Sequence, residues 1–369
     1  MSEAKYWLGF NLVKGIGAAK LQALLDFYGT IERAWQASPA DLQRIGLDQR
    51  AISSFLQTRG EIDLDKCLAQ VIDAGIRLLT WNDPDYPRLL REALNAPPVL
   101  YVRGEITEAD GWAVAVVGTR RPTAYGRQMT RDLVVSLIRS GVTIVSGLAR
   151  GVDALAHKTA VELGGRTLAV LGAGLDCVYP PEHRGLAEQI AQGHGALISE
   201  YALGVQPEAR NFPPRNRIIS GLSLGVIVVE AGETSGALIT ANFAVEQNRD
   251  VFAVPGNANS PASLGTNRLI QRGAKLILSA NDVLEELNLV MAVEQQAVQM
   301  ALPESAEEAL LMPNLLQPIH MDELTRLTGL PAGLVGSTLT LMELKGMVQQ
   351  VGSLQYVLVR EAGAPYGEP

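Results

Sequence analysis

The central part of the chain alternates between short, continuous apolar runs and longer segments with helical periodicity. The apolar runs lie at residues 113–117, 142–145, 167–171, 196–198, 224–229, 251–254 and 275–278, with helical segments at 127–139, 153–163 and 237–247 between them. Buried parallel strands have this continuous apolar character, and crossover helices connect them. The pattern therefore predicts a doubly wound α/β sheet over residues 111–287, with a ligand crevice beyond the carboxyl ends of the strands.

The N-terminal region has a different pattern. Residues 1–60 place leucines and isoleucines at helical spacing, interrupted by a tight turn at Gly15-Ile16-Gly17 and more weakly at Ile45-Gly46-Leu47. This predicts a helical module of the SAM-like or helix-hairpin-helix kind. Its glycine turn is suited to hold a phosphate, but residues 1–112 together hold 12 Lys and Arg against 15 Asp and Glu, so a structural or partner-binding role is favoured over DNA contact. Residues 61–110 form a proline-rich connector with a small helix at 67–74 and short strands at 76–80 and 99–103.

The C-terminal region predicts a linker at residues 288–312 and a winged-helix module at 313–360. Helices at 321–327 and 332–345 precede a hairpin at 349–359, with Gly352 and Ser353 at its tip. The second helix carries no Arg, Asn or Gln before Lys345, and base reading in the major groove needs such donors. Residues 301–369 hold 3 Lys and Arg against 8 Asp and Glu, which repels phosphate. A protein-contact or structural role is favoured for this module.

The charge is unevenly distributed along the chain. The net charge of −8 conceals one basic region, residues 113–220, which holds 12 Lys and Arg against 8 Asp and Glu, and 11 of those 12 cations are arginine. The planar guanidinium group suits phosphate recognition, so this bias indicates an anion-binding surface. Ion pairs with the 8 acids of the same region are the alternative explanation for part of the set.

Glycine or a small polar residue follows nearly every predicted strand. These positions are Gly118, Ser146-Gly147, Gly172, Ser199-Glu200, Glu230-Ala231-Gly232 and Pro255-Gly256. Two arginine-bearing stretches, GTRR at 118–121 and FPPRNR at 212–217, adjoin the strands at 113–117 and 224–229. Glycine permits close approach of a ligand and arginine binds phosphate, so the same edge of the sheet is predicted to hold a polyanion. Tyr125, Tyr179 and Phe212 lie near this edge and offer occasional base stacking.

The sequence gives little support for a nucleotide cofactor, a metal site or a catalytic site. The first predicted strand is not followed by the Gly-x-Gly-x-x-Gly pattern of dinucleotide-binding proteins, and no phosphate-binding loop with Gly-Lys-Ser/Thr occurs. Cys67 and Cys177 match no zinc spacing. Glu230 and Glu233 suit either acid chemistry or helix capping, and His157 suits a local helix contact. We therefore expect no cofactor, no metal and no catalytic activity.

The expected compartment follows from the same composition. Two distant cysteines suit a reducing environment. No basic start followed by an apolar run is visible at the N-terminus, and no apolar stretch approaches the roughly 18 residues of a membrane span. We expect a cytoplasmic protein.

Several long motifs resemble those of the DNA-processing protein A (DprA/Smf) family. They are AVVGTR at 115–120, SGLARGVDALAH at 146–157, FPPRNRIIS at 212–220, EAGETSGALIT at 230–240 and VPG at 254–256, preceded by DPDYP at 83–87 and PVLYVRG at 98–104. The resemblance is strong over residues 75–285 and looser over both flanking modules.

The resemblance implies an extended Rossmann-like core that binds single-stranded DNA, forms a homodimer and loads the RecA recombinase onto incoming strands during natural transformation. On the family pattern, Arg120, Arg215 and Arg217 contact DNA phosphates. The same pattern places Gly118, Gly147 and Gly151 where the backbone comes close to the strand, with Arg121, Arg150, Asn216 and Phe212 as further contacts.

Two other hypotheses remain open from the residues. The GETSG loop at 232–236 is faintly similar to that of nucleoside-monophosphate phosphoribohydrolases, whose PGGxGTxxE pattern the chain does not reproduce. A nucleotide-sensing scaffold would use the same edge of the sheet for one small ligand.

Overall fold

The computed structural model describes residues 3–289, 305–315, 317–344, 347–352 and 354–358. The chain divides into two compact units, Met1–Leu287 and Asn288–Pro369. The boundaries predicted near residues 60 and 110 fall inside the first unit and stay predictions.

Six helices open the first unit, which confirms the predicted helical module. They are α1 (Ala4–Leu12), α2 (Ala18–Tyr28), α3 (Ile31–Trp35), α4 (Pro39–Arg44), α5 (Gln49–Glu61) and α6 (Leu64–Asp73). Helices α3 to α6 begin after Thr30, Ser38, Asp48 and Asp63, whose side chains accept a hydrogen bond from the backbone N–H three residues on. Phe10, Trp35 and Phe55 pack together at their centre, with ring centroids 5.1 to 5.4 Å apart.

The helical module shares a hydrophobic core with the sheet. Its buried residues pack in one cluster with Tyr101, Leu171 and Leu197 of the α/β part. Asn11 ties the two parts together, because its amide accepts a hydrogen bond from the Tyr101 hydroxyl at 2.9 Å and donates to the Glu200 carbonyl at 3.1 Å. The module therefore braces the sheet close to the end of its sixth strand.

A nine-stranded sheet forms the centre of the first unit. Its strands are β1 (Arg77–Thr80), β2 (Val99–Gly104), β3 (Ala113–Val117), β4 (Thr143–Ser146), β5 (Thr167–Val170), β6 (Gly195–Ser199), β7 (Gly225–Val228), β8 (Asp250–Ala253) and β9 (Lys275–Leu276). The helices are α7 (Arg88–Arg91), α8 (Ala124–Arg139), α9 (Val152–Glu162), α10 (Arg184–Gln189), α11 (Phe212–Gly221), α12 (Ala237–Glu246), α13 (Leu264–Gln271) and α14 (Ala280–Glu286). The predicted strands are confirmed, with ends displaced by one or two residues.

The strand order defines where a ligand crevice lies. The order is β1-β2-β6-β5-β4-β3-β7-β8-β9. Neighbouring strands are parallel from β6 to the β9 edge of this order, whereas β2 is antiparallel to both of its neighbours, β1 and β6. The run β5-β4-β3-β7-β8-β9 reproduces the 3-2-1-4-5-6 order of a Rossmann fold. The chain direction across the sheet reverses between β3 and β7, so the crevice is expected beyond the carboxyl ends of these strands. The extended Rossmann-like, doubly wound prediction is confirmed.

The second unit is a small α/β domain. It contains α15 (Ala306–Leu311), β10 (Ile319–His320), α16 (Met321–Thr328), α17 (Ala332–Leu344), β11 (Val348–Gly352) and β12 (Gln355–Leu358). The three strands form an antiparallel sheet in the order β10-β12-β11, and Leu324, Val335 and Leu339 are fully buried against it. The predicted winged helix is confirmed. Helix α15 lies inside the segment predicted as a linker, and Lys345, Ser353 and Val359 fall outside the described residues.

Among the residues that the structure describes, no helix has the length and apolar character needed to cross a membrane.

Candidate nucleic-acid interface

A cavity of about 670 Å³ opens at the switch point between β3 and β7. The loops after β3, β4 and β7 and the start of α11 form its walls. Its lining includes Gly118, Thr119, Arg120, Ala149, Asp153, Tyr179, Phe212, Arg215, Asn216, Gly232, Thr234, Ser235 and Gly236. The sequence analysis places Gly232 on this edge of the sheet but does not predict Thr234, Ser235 and Gly236 as site residues. The glycines that follow a buried strand are the signal that could have identified them.

Glu230 fixes the loop that follows β3. Its carbonyl accepts a hydrogen bond from the Thr119 N–H at 2.7 Å. Its carboxylate accepts from the Thr123 N–H at 2.9 Å and from the Thr123 hydroxyl at 2.5 Å, and it lies buried against Gly126, where a Cβ would come within 2.2 Å of Oε2. Because both carboxylate oxygens are engaged at the start of α8, the geometry supports the capping role for Glu230 rather than acid chemistry.

The three glycines predicted to approach a ligand are in close contact with protein atoms. A Cβ on Gly118 would lie 2.6 Å from Val152 Cγ2, and one on Gly147 would lie 2.7 Å from Arg215 Nη2. Gly151 has φ +85°, and a Cβ there would lie 2.3 Å from the Thr119 carbonyl oxygen. These glycines let the loops after β3 and β4 pack against each other and against α11, which gives the crevice its shape.

Arg215 lies beneath the crevice rather than at its mouth. The side chain projects from α11, and the residue is only 4% exposed. Its Nη1 donates to the carbonyl of Gly147 at 2.8 Å and also to the carbonyl of Val170. Arg215 thus connects α11 with the carboxyl ends of β4 and β5.

The buried charge of Arg215 has a nearby carboxylate. Burial lowers the pKa of Arg215 to about 10, and the charge of Asp153 opposes this change. Burial raises the pKa of Asp153, while the Arg215 charge and hydrogen bonds from the Gly147 and Ala149 amides act in the opposite direction. The Gly147 N–H donates to Asp153 Oδ2 at 3.1 Å. At neutral pH the guanidinium stays charged, and it forms part of a buried polar cluster under the crevice floor.

Three other predicted residues are also engaged by protein groups. Arg217 donates twice to the Glu200 carboxylate, at 2.7 and 3.0 Å, with both side chains 17% exposed. The exposed Arg150 pairs with Glu182 at 2.6 Å, and this bond raises the pKa of Arg150. The Asn216 amide donates to the Gly236 carbonyl at 3.3 Å. These bonds occupy part of the hydrogen-bond donors of each side chain.

Arg120 lines the crevice and is exposed, and Arg121, the next residue in the chain, is exposed as well; within the described part of the chain neither forms an ion pair. The Arg120 guanidinium lies 6.0 Å from the centroid of the Phe212 ring, close enough for a cation–π contact. The half-buried Phe212 ring tilts against Tyr179 at a centroid distance of 5.9 Å. The crevice mouth therefore combines the unpaired cation of Arg120 with two accessible aromatic rings.

No group of three or more His, Cys, Asp or Glu among the described residues is arranged to hold a metal ion. Both cysteines are free and half-buried. The exposed Glu233 pairs with Arg268 at 2.6 Å.

The strand order, the crevice at the switch point and the separate C-terminal domain define a Rossmann-like α/β protein joined to a winged helix. The chain belongs to the DNA recombination-mediator protein A family, whose model matches residues 77–288. The DprA winged helix domain matches residues 296–352.

Three similar proteins illustrate the relationship. Protein Smf of Synechocystis is 38% identical over 96% of this chain and 98% of its own length. The crystal structure of DNA processing protein A from Streptococcus pneumoniae matches 76% of this chain and 97% of that protein, at 36% identity and a TM-score of 0.68. DNA processing protein A from Helicobacter pylori, described for its unique mode of binding single-stranded DNA, matches 59% of this chain and 96% of that protein, at 31% identity and a TM-score of 0.52.

Proposed function

We propose that this protein binds single-stranded DNA along the crevice mouth and loads the RecA recombinase onto it during natural transformation. The observation that carries the proposal is the exposed Arg120 beside Phe212 and Tyr179, with the exposed Arg121 next to it in the chain. Single strands are held by cations that follow the phosphates and by aromatic rings that stack on bases. The similarity to the Helicobacter pylori protein, described for single-stranded DNA binding, supports the same ligand here.

Within this proposal the site residues have different roles. Arg120 and Arg121 contact phosphates directly, and Phe212 stacks on a base. Arg215 and the glycines at 118, 147 and 151 hold the loops in position. Arg150, Asn216 and Arg217 form the border of the site and contact the strand when their present partners release them. The protein acts by binding, without turnover of a substrate.

A salt titration with single- and double-stranded DNA tests the binding step. The affinity for single strands is expected to fall with salt at a slope of about −0.7 per phosphate neutralised. Duplex DNA of the same length is expected to bind more weakly, because its bases are not available for stacking. Equal affinity for both forms, or affinity for a mononucleotide equal to that for a long strand, contradicts the proposal.

The loading step needs a separate measurement. RecA filament growth on single-stranded DNA coated with a single-strand-binding protein is expected to accelerate when this protein is added. A variant defective in DNA binding is the matched control. Acceleration by that variant equal to the parent's contradicts loading through this site, and the binding titration is interpreted independently.

We also propose that the protein is a homodimer formed through the Rossmann-like core. The edge strand β9 exposes Leu276, and Leu278 directly after it is also exposed. Exposed aliphatic side chains at a sheet edge are typical of a protein contact.

A further inference from the structure

The winged-helix unit exposes an uncharged helix face where DNA-binding members of this fold class carry donors. Helix α17 (Ala332–Leu344) buries Val335, Leu339 and Met342. Its opposite face exposes Leu334 and Leu341, which are 39% and 54% accessible and lie seven residues apart on one side of the helix. Solvent-facing helix surfaces are ordinarily charged. Between residues 332 and 342 this helix carries no charged residue at all.

The hairpin formed by β11 and β12 is also uncharged and exposes aliphatic side chains. The sequence from residue 346 to residue 359 contains no charged residue. Near the hairpin tip, Val351 and Leu354 are 49% and 42% exposed. Helix and hairpin thus both present aliphatic side chains to solvent in a unit that is otherwise well packed.

The same unit carries several acidic side chains. Asp322, Glu323 and Glu343 are exposed, and Glu307 is half-buried. In the described part of this unit Arg326 is the one Lys or Arg, and it lies 3.5 Å from Glu323. A negative field of this kind repels DNA and repels a second copy of the same unit, while it attracts a cationic surface.

We propose that the exposed face of α17, together with the hairpin tip, docks a basic amphipathic helix of a partner protein. Aliphatic side chains of the partner cover Leu334 and Leu341, and its lysines and arginines face the carboxylates of the same unit. Apolar contact supplies the affinity, and the complementary charge supplies orientation and rate of association. The helix face belongs to the second unit and the crevice to the first, and the docking proposal does not depend on the proposed DNA function.

The test uses the full chain and a synthetic helix with a leucine stripe and lysines elsewhere, followed by fluorescence anisotropy. The double variant Leu334→Ser, Leu341→Ser is expected to weaken binding about tenfold or more, because the apolar area for the contact is lost. Leu94→Ser removes an exposed leucine from the other unit and is expected to leave the affinity unchanged. A peptide with glutamates in place of the lysines is expected not to bind.

A charge variant keeps the proposal testable if the leucine variant unfolds. Asp322→Asn with Glu323→Gln is expected to weaken binding several-fold and to flatten its salt dependence. Peptide binding that none of these variants reduces overturns the proposal. A loss of duplex DNA affinity in the leucine variant shows a DNA surface instead, and a change in the mass of the protein in solution shows contact between copies. Either result also overturns it.

Discussion

Arg120 is the exposed cation whose loss tests the crevice mouth most directly. Its guanidinium lies over Phe212 and forms no ion pair within the described residues. Arg120→Ala is therefore expected to lower single-strand affinity about tenfold to a hundredfold, the range for one charged hydrogen bond. The thermal midpoint is expected to stay unchanged. A salt titration of binding should show a slope smaller by about 0.7.

The matched control for this prediction is Arg139→Ala. Arg139 is also exposed, but it is the last residue of the 16-residue helix α8, whose first residue, Ala124, follows Arg120 closely in the chain. A helix of that length spans about 24 Å, so the control removes the same charge from a remote surface. Equal losses of affinity in both variants would indicate a general charge effect and contradict a local site.

For Arg215 we expect a mutation to lower the stability of the fold, in contrast to Arg120. Arg215→Ala leaves the buried carbonyls of Gly147 and Val170 without this donor, and it leaves Asp153 buried without its neighbouring cation. Breaking a buried pair in this way costs about 3–5 kcal/mol of the free energy of unfolding. Urea denaturation checks this value. If Arg215→Ala unfolds at the parent's midpoint and still loses DNA affinity, the guanidinium acts on the ligand directly.

At the scale of secondary-structure elements, the sheet was predictable because buried parallel strands leave a local signature. The run at 113–117 matches β3 residue for residue, and the others differ at their ends by one or two positions. The FPPRNR stretch proved to be the first turns of α11, where the two prolines are tolerated because first-turn amides lack helical partners.

The side-chain partners of the site were beyond the reach of local pattern. Arg217 pairs with Glu200, and this contact joins α11 to the end of β6 across the fold. Gly147 signalled a close approach, but the approaching group is the Arg215 guanidinium rather than a ligand. The sequence identifies glycines at which another group comes close to the backbone. Only the folded structure shows which group that is.

His157 on α9 gives this part of the fold a pH dependence. It is fully buried, its Nδ1 lies 2.7 Å from the Thr167 hydroxyl, and that hydroxyl donates to the Ile144 carbonyl. The imidazole therefore donates through Nδ1. Burial, with smaller contributions from the charges of His183 and Arg215, lowers the pKa of His157 to about 3.

The sign of the effect follows from proton binding. Between the ordinary histidine pKa of about 6.5 and the folded pKa, the unfolded chain binds one more proton. Above about pH 6.5 His157 therefore does not reduce the free energy of unfolding. On acidification below that pH, the free energy of unfolding falls by up to about 1.4 kcal/mol per pH unit. Asp153, whose pKa burial raises, contributes with the opposite sign above the ordinary aspartate pKa. Urea unfolding of the parent and of His157→Gln at about pH 7 and about pH 5 checks this. If the free energy of unfolding changes equally with pH in the parent and in the variant, this role of His157 is contradicted.

At the scale of the whole molecule, positive and negative charge are concentrated in different regions of the chain. The net charge is −8, yet residues 113–220 carry an excess of cations, and the exposed Arg120 lies at the mouth of the crevice. Long-range repulsion of DNA by the acidic remainder is screened beyond about 8–10 Å at physiological salt. A local cationic site can therefore function on an acidic protein.

The dimer proposal connects the sheet edge with the binding of long strands. Leu276 and Leu278 are 44% and 69% exposed at the β9 edge. Leu276→Glu with Leu278→Glu is expected to convert a dimer into a monomer in sedimentation analysis, because the contact would bury two carboxylates. Leu94→Glu is the control at a comparably exposed leucine elsewhere.

A dimer carries two crevices, so a strand long enough to reach both gains affinity from its second contact. The monomeric variant is therefore expected to lose about tenfold or more of its affinity for long strands and to keep the parent's affinity for short oligonucleotides. Binding of the two lengths by each protein separates avidity from damage to the site. A parent protein that is already monomeric, or a variant that remains dimeric, excludes this edge as the interface.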